Sequence, residues 1–155
     1  MTDASERRAL LKAIRRLARA VDIQSRRIDR ELGLTLPQYI VLSAVRDLGN
    51  GTSREIAAAS DASPATVVGI LDKLEAKGLV ERARSTTDRR SVHTRLTAAG
   101  EATLARIPFP LGPGFESAFA ALPTETRART IAALNDLAAL AAPEEAGLED
   151  SAAPL

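Results

Sequence analysis

The segment Arg82–Arg95 holds five arginines, Arg82, Arg84, Arg89, Arg90 and Arg95, against one carboxylate, Asp88. A guanidinium is always charged and presents a fork of donors that fits phosphate oxygens. A single arginine at a hairpin tip also fits a narrow minor groove of duplex DNA, drawn by its negative potential. Asp88-Arg89-Arg90 reads as such a tip, with Arg82, Arg84 and Arg95 in the flanking strands. Asp88 facing DNA alone would be a liability, so its expected role is to hold a neighbouring arginine, such as Arg82 or Arg90, in one pose. A solvated hairpin is the competing reading.

The stretch from Ser63 to Lys77 has a different character. Val67, Ile70 or Leu71, and Leu74 form an apolar stripe, while Ser63, Ala65, Thr66, Val68 and Gly69 share the opposite face near its start. Small side chains let a helix lie deep in the major groove. The N–H groups at its start attract phosphate. That face has no Arg, Asn or Gln, so bidentate base readout is absent from it. Thr66 is expected to make weak hydrogen bonds, Ala65 or Val68 to touch thymine methyls, and DNA shape to supply part of the sequence choice. Lys73, one turn later, is placed to reach phosphate, with a solvated helix residue as the alternative.

Other chemistries lack their residues. The chain has no Cys, so disulfides, thiolate metal ligands and a cysteine redox switch are excluded. Its one Met is Met1 and its one His is His93, on an expected strand, where a structural role or a phosphate neighbour fits better than a general base. No glycine-rich phosphate loop of the usual spacing occurs, and the paired acids Glu144-Glu145 lie in a tail. The expectation is a non-enzyme with no cofactor and no metal site. The N-terminal MTDASERRALLKAIRRL lacks the apolar centre of a signal peptide, and no stretch approaches the ~18–20 apolar residues of a membrane span. A cytoplasmic protein without a membrane partner is therefore expected.

Residues 5–32 must form a long helix, with Leu10, Ile14, Leu17, Val21, Ile28 and Leu32 recurring at helical spacing. Gly33 ends it. Thr35-Leu-Pro-Gln38 is a capping box for a helix over roughly 36–48, which buries Tyr39 or Ile40, Leu42, Val45 and Leu48. Thr52-Ser-Arg-Glu55 is a second box opening a short helix to about Ala59, and Ser63-Pro64 starts a third that stops at Gly78. After Gly78 the period changes to that of strands, 79–84 and 91–96, joined by the polar loop 85–90 as a β-hairpin wing. Thr97 caps a helix to about Ile107. Pro108, Pro110, Gly112, Pro113 and Gly114 then interrupt the chain. Short and longer helices follow, Phe115–Ala121 and Pro123–Ala142, the latter with Ile131, Leu134, Leu137 or Ala138, and Leu140 or Ala141 on one face. The low aromatic content, 3%, also favours helix packing over a β-sandwich.

Charge follows these divisions beneath a formal net of +1. Residues 5–31 carry nine Arg or Lys against four acids, whereas from Asp136 onward there are five acids and neither Arg nor Lys. Local basic blocks suit a protein that meets an anionic surface in defined places; a solvated face is the alternative for the N-terminal block.

Ser63-Pro-Ala-Thr-Val-Val-Gly-Ile-Leu-Asp-Lys-Leu-Glu75, Lys77-Gly-Leu-Val-Glu-Arg82, Asp88-Arg-Arg90 and Leu96-Thr-Ala-Ala-Gly100 follow one another in the order and spacing of the MarR family. Over about residues 8–142 the chain resembles these bacterial winged-helix regulators. The resemblance implies a mainly α fold with a small β-hairpin wing, forming a winged helix-turn-helix domain with helical dimerisation arms. It implies a dimer whose first, fifth and last helices interlock, with recognition helices in successive major grooves and the wing arginine in the minor groove. It assigns groove contacts to Ser63, Ala65, Thr66, Gly69 and Arg90, with Asp88 as orienting partner. Members usually repress a nearby operon, and many release DNA when a small, often phenolic or acidic, ligand binds between arms and lobes. Two departures stand out: Val68 sits where Thr or Ser is common, and the Pro/Gly cluster at 108–114 breaks what is often one long helix. Ala20-Val-Asp-Ile-Gln-Ser25 and Leu36-Pro-Gln38 further resemble the branch that regulates ectoine and other compatible-solute genes.

The expected organisation is a helical dimerisation region over 5–34 and 97–142, a DNA-binding lobe over 35–96, and a disordered acidic tail over 143–155. The expected function is a homodimeric repressor, associated with the nucleoid through double-stranded DNA, that binds a pseudo-palindromic operator and is released by a small-molecule effector. A ligand-independent or architectural DNA-binding protein is the alternative. For an effector pocket, the candidates are Arg15, Arg19, Arg26 and Tyr39 where arm approaches lobe, with ordinary surface or core roles as the alternative.

Overall fold

A computed structural model describes residues 3–86 and 91–141. Helix α1 spans Ala4–Leu32 and ends on Gly33, whose left-handed backbone (φ 63°, ψ 28°) is open to glycine without steric cost. Helix α2, Leu36–Leu48, begins with the expected capping box: Thr35 accepts from the Gln38 backbone, and the Gln38 side chain accepts from the Thr35 N–H. Strand β1, Gly51–Thr52, leads into helix α3, Ser53–Ala59, through the second box, Thr52 with Glu55. Helix α4, Pro64–Ala76, is capped by Ser63. Strands β2, Val80–Arg84, and β3, Val92–Leu96, precede helix α5, Ala98–Arg106, capped by Thr97.

The sheet is antiparallel in the order β1-β3-β2. The expected hairpin is therefore part of a three-stranded sheet. β1 escapes a sequence reading because it is two residues long and follows Gly49-Asn50, so it has no alternation to detect; Gly51 becomes a strand residue only by pairing with Thr94.

The core forms where the apolar faces of α2, α3 and α4 meet: Val41, Leu42, Val45, Ile56, Val67, Leu71 and Leu74 are buried, with Leu79, Val80 and Leu104 closing its edge. Leu71, not Ile70, takes the fully buried place in the α4 stripe. On α2, Tyr39 packs against the core, whereas Ile40 and Leu48 stay exposed at 39% and 41%, which corrects the expectation for Leu48. The buried arc of α2 is formed by Gln38, Val41, Leu42, Ala44 and Val45 and runs out before the last turn.

The chain divides into two compact units, Met1–Pro113 and Gly114–Leu155. Helices α1 and α5 fall in the first unit together with residues 35–96. Ile28 and Leu104 are buried in the common core, and Gly100 lies against the Leu79 carbonyl. In the second unit, helix α6 spans Phe115–Ala120 and helix α7 Thr124–Ala141. The rings of Phe115 and Phe119 stack with centroids 5.7 Å apart. Arg127 donates to the carbonyls of Ala120 and Leu122 at 2.9 and 2.8 Å, tying α7 to the end of α6. The expected disordered tail, 143–155, lies outside the described residues.

Candidate nucleic-acid interface

Ser63 places the first turn of α4. Its Oγ accepts from the Thr66 N–H at 3.1 Å, and Pro64 occupies the first helical position without forfeiting a hydrogen bond. With Val67, Leu71 and Leu74 turned inward, Ser63, Ala65, Thr66, Val68, Gly69 and Lys73 are all exposed on α4. No atom lies within 4 Å of where a Gly69 Cβ would sit. This glycine therefore relieves no internal clash, and its effect is a flat outer surface. The Thr66 hydroxyl shares a 2.8 Å hydrogen bond with the Ser63 hydroxyl, so part of the polarity expected for base contact is engaged in the cap.

The wing arginines separate into distinct roles. Arg82 is only partly exposed, and its guanidinium donates to Asp72 at 2.6 Å and through Nε to Glu75 at 2.9 Å, both on α4. Arg82, expected to contact DNA or to be held by Asp88, is thus paired with two carboxylates of α4, while Asp88 lies outside the described residues. β2 packs along α4, bringing Arg82 opposite the two carboxylates. Those bonds, Glu75 first, hold Arg82 above the ordinary arginine range. The signal was present in Asp72 and Glu75, one turn apart on the helix that precedes the strand, but spacing alone does not fix the distance between helix and strand.

Arg84 is exposed at the end of β2. It lines a groove of about 410 Å³ with Asn50, Ser85, Thr86, His93 and Arg95. Across the strands, Arg95 donates to Glu81 at 2.6 Å. The His93 Nδ1 lies 3.2 Å from the Asn50 carbonyl, which fixes the imidazole against the loop before β1. Asp88, Arg89 and Arg90 lie outside the described residues.

The effector candidates do not converge. Arg15 and Arg19 share a groove of about 610 Å³ along α1, lined also by Arg8, Lys12 and Arg16. Arg26 continues that face two turns beyond Arg19 but is paired with Asp22 at 3.1 Å. Tyr39, on α2, packs against the core. Among the described residues no group of His and acidic side chains is arranged to hold a metal, and no helix is long and apolar enough to cross a membrane.

The model of the MarR family matches residues 34–92. HosA, a transcriptional regulator of Escherichia coli, is 32% identical over 109 residues, covering 70% of this chain and 80% of HosA. NicR, a transcriptional repressor of Pseudomonas putida, is 40% identical over 76 residues, covering 48% of each chain. The chain thus spans about half the length of NicR, and 62% of that of YsmB, a further regulator from Bacillus subtilis. Among solved structures, Bordetella bronchiseptica BpsR, whose DNA binding is regulated by 6-hydroxynicotinic acid, is 28% identical with a TM-score of 0.65, covering 89% of this chain and 97% of BpsR. AbsC of Streptomyces coelicolor, a MarR family regulator at 19% identity and TM-score 0.70, covers 91% and 97% and shows the shared fold.

Proposed function

The chain belongs to the MarR family of DNA-binding transcriptional regulators, which are not enzymes, and from this we propose that it is a homodimeric repressor of a pseudo-palindromic operator. The observation that carries the reading is the exposed, small-residue face of α4 beside an arginine-bearing wing. The Arg82 bonds to Asp72 and Glu75 hold the wing strand against that helix, so the two elements meet DNA as one body. Ser63, Ala65, Thr66, Val68 and Gly69 face the major groove; Lys73 and Arg84 take phosphates. Arg90, oriented by Asp88, enters the minor groove on the strength of the family resemblance. A cytoplasmic location follows from a DNA partner.

Dimerisation is supported by apolar residues that each unit leaves in water. On α1, Leu10, Ile14 and Leu17 are 41–47% exposed; on α7, Ile131, Leu134 and Leu137 are 38–50% exposed. Stripes of this kind mark association surfaces. The effector class follows from charge. The α1 groove presents Arg8, Lys12, Arg15, Arg16 and Arg19, none of them ion-paired among the described residues. This suits a small carboxylate, in line with the ligand of BpsR.

Footprinting on the protein's own promoter, with titrations against that fragment and random DNA over a range of salt, tests the function. A protected two-fold site and a steep fall in affinity with salt are expected. Equal affinity for both DNAs would overturn the regulator reading. A melting shift with 6-hydroxynicotinate, lost in Arg15→Ala/Arg19→Ala, is the expected sign of the effector site.

A further inference from the structure

Two helix C-termini that are distant in sequence meet at one lysine. Lys77 is the C-cap of α4. Its ammonium donates to the carbonyl of Gly33, the C-cap of α1, across 44 residues of chain. It also donates to Gln38 Oε1 at 3.3 Å, the same oxygen that accepts from the Thr35 N–H at 3.1 Å. Gln38 is a buried polar residue, so this oxygen is fixed in place by its cap. A cation at a helix C-terminus is favoured by the dipole and by the carbonyls left unpaired there, and Lys77 serves the end of α1 while belonging to α4.

We propose that Lys77 is a positioning residue for DNA readout, fixing the angle between the dimerisation arm α1 and the recognition helix α4. Among the described residues no other hydrogen bond or ion pair joins α4 to residues 3–34. Beside it, Ile28 of α1 and Leu34 in the connection to α2 are buried in the apolar core. The hydrophobic effect is non-directional, whereas hydrogen bonds fall off steeply with angle, so the lysine adds a directional tie to that packing. The lever is long. At 1.5 Å per residue, the Leu10–Leu17 stripe lies roughly 25–35 Å from Gly33, and a tilt of about 10° moves it by about 5 Å. Two recognition helices must meet half-sites about 34–36 Å apart, so such a displacement exceeds one base-pair step.

The proposal rests on the dimer reading, and its test separates the two. The chain lacks cysteine, so Ala58→Cys, exposed on α3, gives one spin label per protomer, and pulsed electron resonance reads one distance across the dimer. With Lys77 present a single narrow distribution is expected; Lys77→Met should broaden it by several ångströms, and Lys77→Arg should restore it. Should Lys77→Met fail to fold, Lys77→Gln carries the same expectation. An unchanged width in the folded variant overturns the proposal. No distance at all in the Lys77 protein overturns the dimer instead. On a duplex selected by the protein from a random pool, inserting one base pair between half-sites should weaken binding about tenfold with Lys77 and much less with Lys77→Met; an equal penalty in both overturns the proposal.

Discussion

Arg82 on the wing strand donates to Asp72 on the recognition helix at 2.6 Å, so an arginine within the basic segment is paired with a carboxylate of the helix it packs along. Both side chains are partly in water, 24% and 57% exposed, and ion pairs of that kind contribute about 0–1 kcal/mol. Arg82→Ala should therefore lower the melting temperature by only a few degrees. DNA affinity should fall further than that loss implies, because wing and helix no longer move together. Calorimetry and fluorescence anisotropy on one preparation check this; equal affinity would show that the bridge does not position the wing.

The two glycines facing opposite ways predict opposite outcomes. A Cβ at Gly100 would lie 2.1 Å from the Leu79 carbonyl oxygen, so Gly100→Ala should destabilise by at least the ~1–3 kcal/mol typical of overpacking. At Gly69 a Cβ meets nothing within 4 Å, and Gly69→Ala should stabilise the helix by about 0.5–1 kcal/mol. The added methyl on the groove face should weaken DNA binding. Urea midpoints and binding titrations, read together, decide both.

Glu55 sets part of the acid limb of stability. Bonds from the Thr52 N–H at 2.7 Å and hydroxyl at 2.9 Å hold its carboxyl below the ordinary glutamate range. A depressed folded value means that the stabilisation is present above the unfolded value and is lost as pH falls through the folded one. Glu55→Gln should thus flatten the decline of melting temperature below the ordinary glutamate range. An identical decline in the variant would refute this.

Arg84 carries a salt signature. Replacing it with Ala should reduce the slope of log affinity against log salt by about 1, uniformly across DNA sequences, as expected for one phosphate contact. A sequence-dependent loss would point to base contact.

Leu134→Asp on α7 and Ile14→Asp on α1 each put a charge in an exposed apolar stripe. Either should shift the sedimentation mass at micromolar concentration from two chains to one, with the helical signal kept. A dimer that survives both changes would place the interface elsewhere.

Local chemistry was legible in the sequence. Caps at Thr35, Thr52, Ser63 and Thr97, stops at Gly33 and Gly78, and the stripe Val67–Leu71–Leu74 depend on neighbours within a turn or two, so the residues alone set helices α1 to α5 nearly to their ends. The exposed face of α4 followed directly, because burying one stripe fixes what the opposite side presents. Tertiary structure decided what depends on distances between elements. β1 exists only through its pairing with β3. Arg82 became a bridge because β2 returns along α4. Lys77, an ordinary cation at a helix end in the sequence, reaches the end of α1 only because the fold brings two C-termini together. Charged side chains are long and flexible, and which partner they find is set by the packing of the elements that carry them, not by their spacing along the chain.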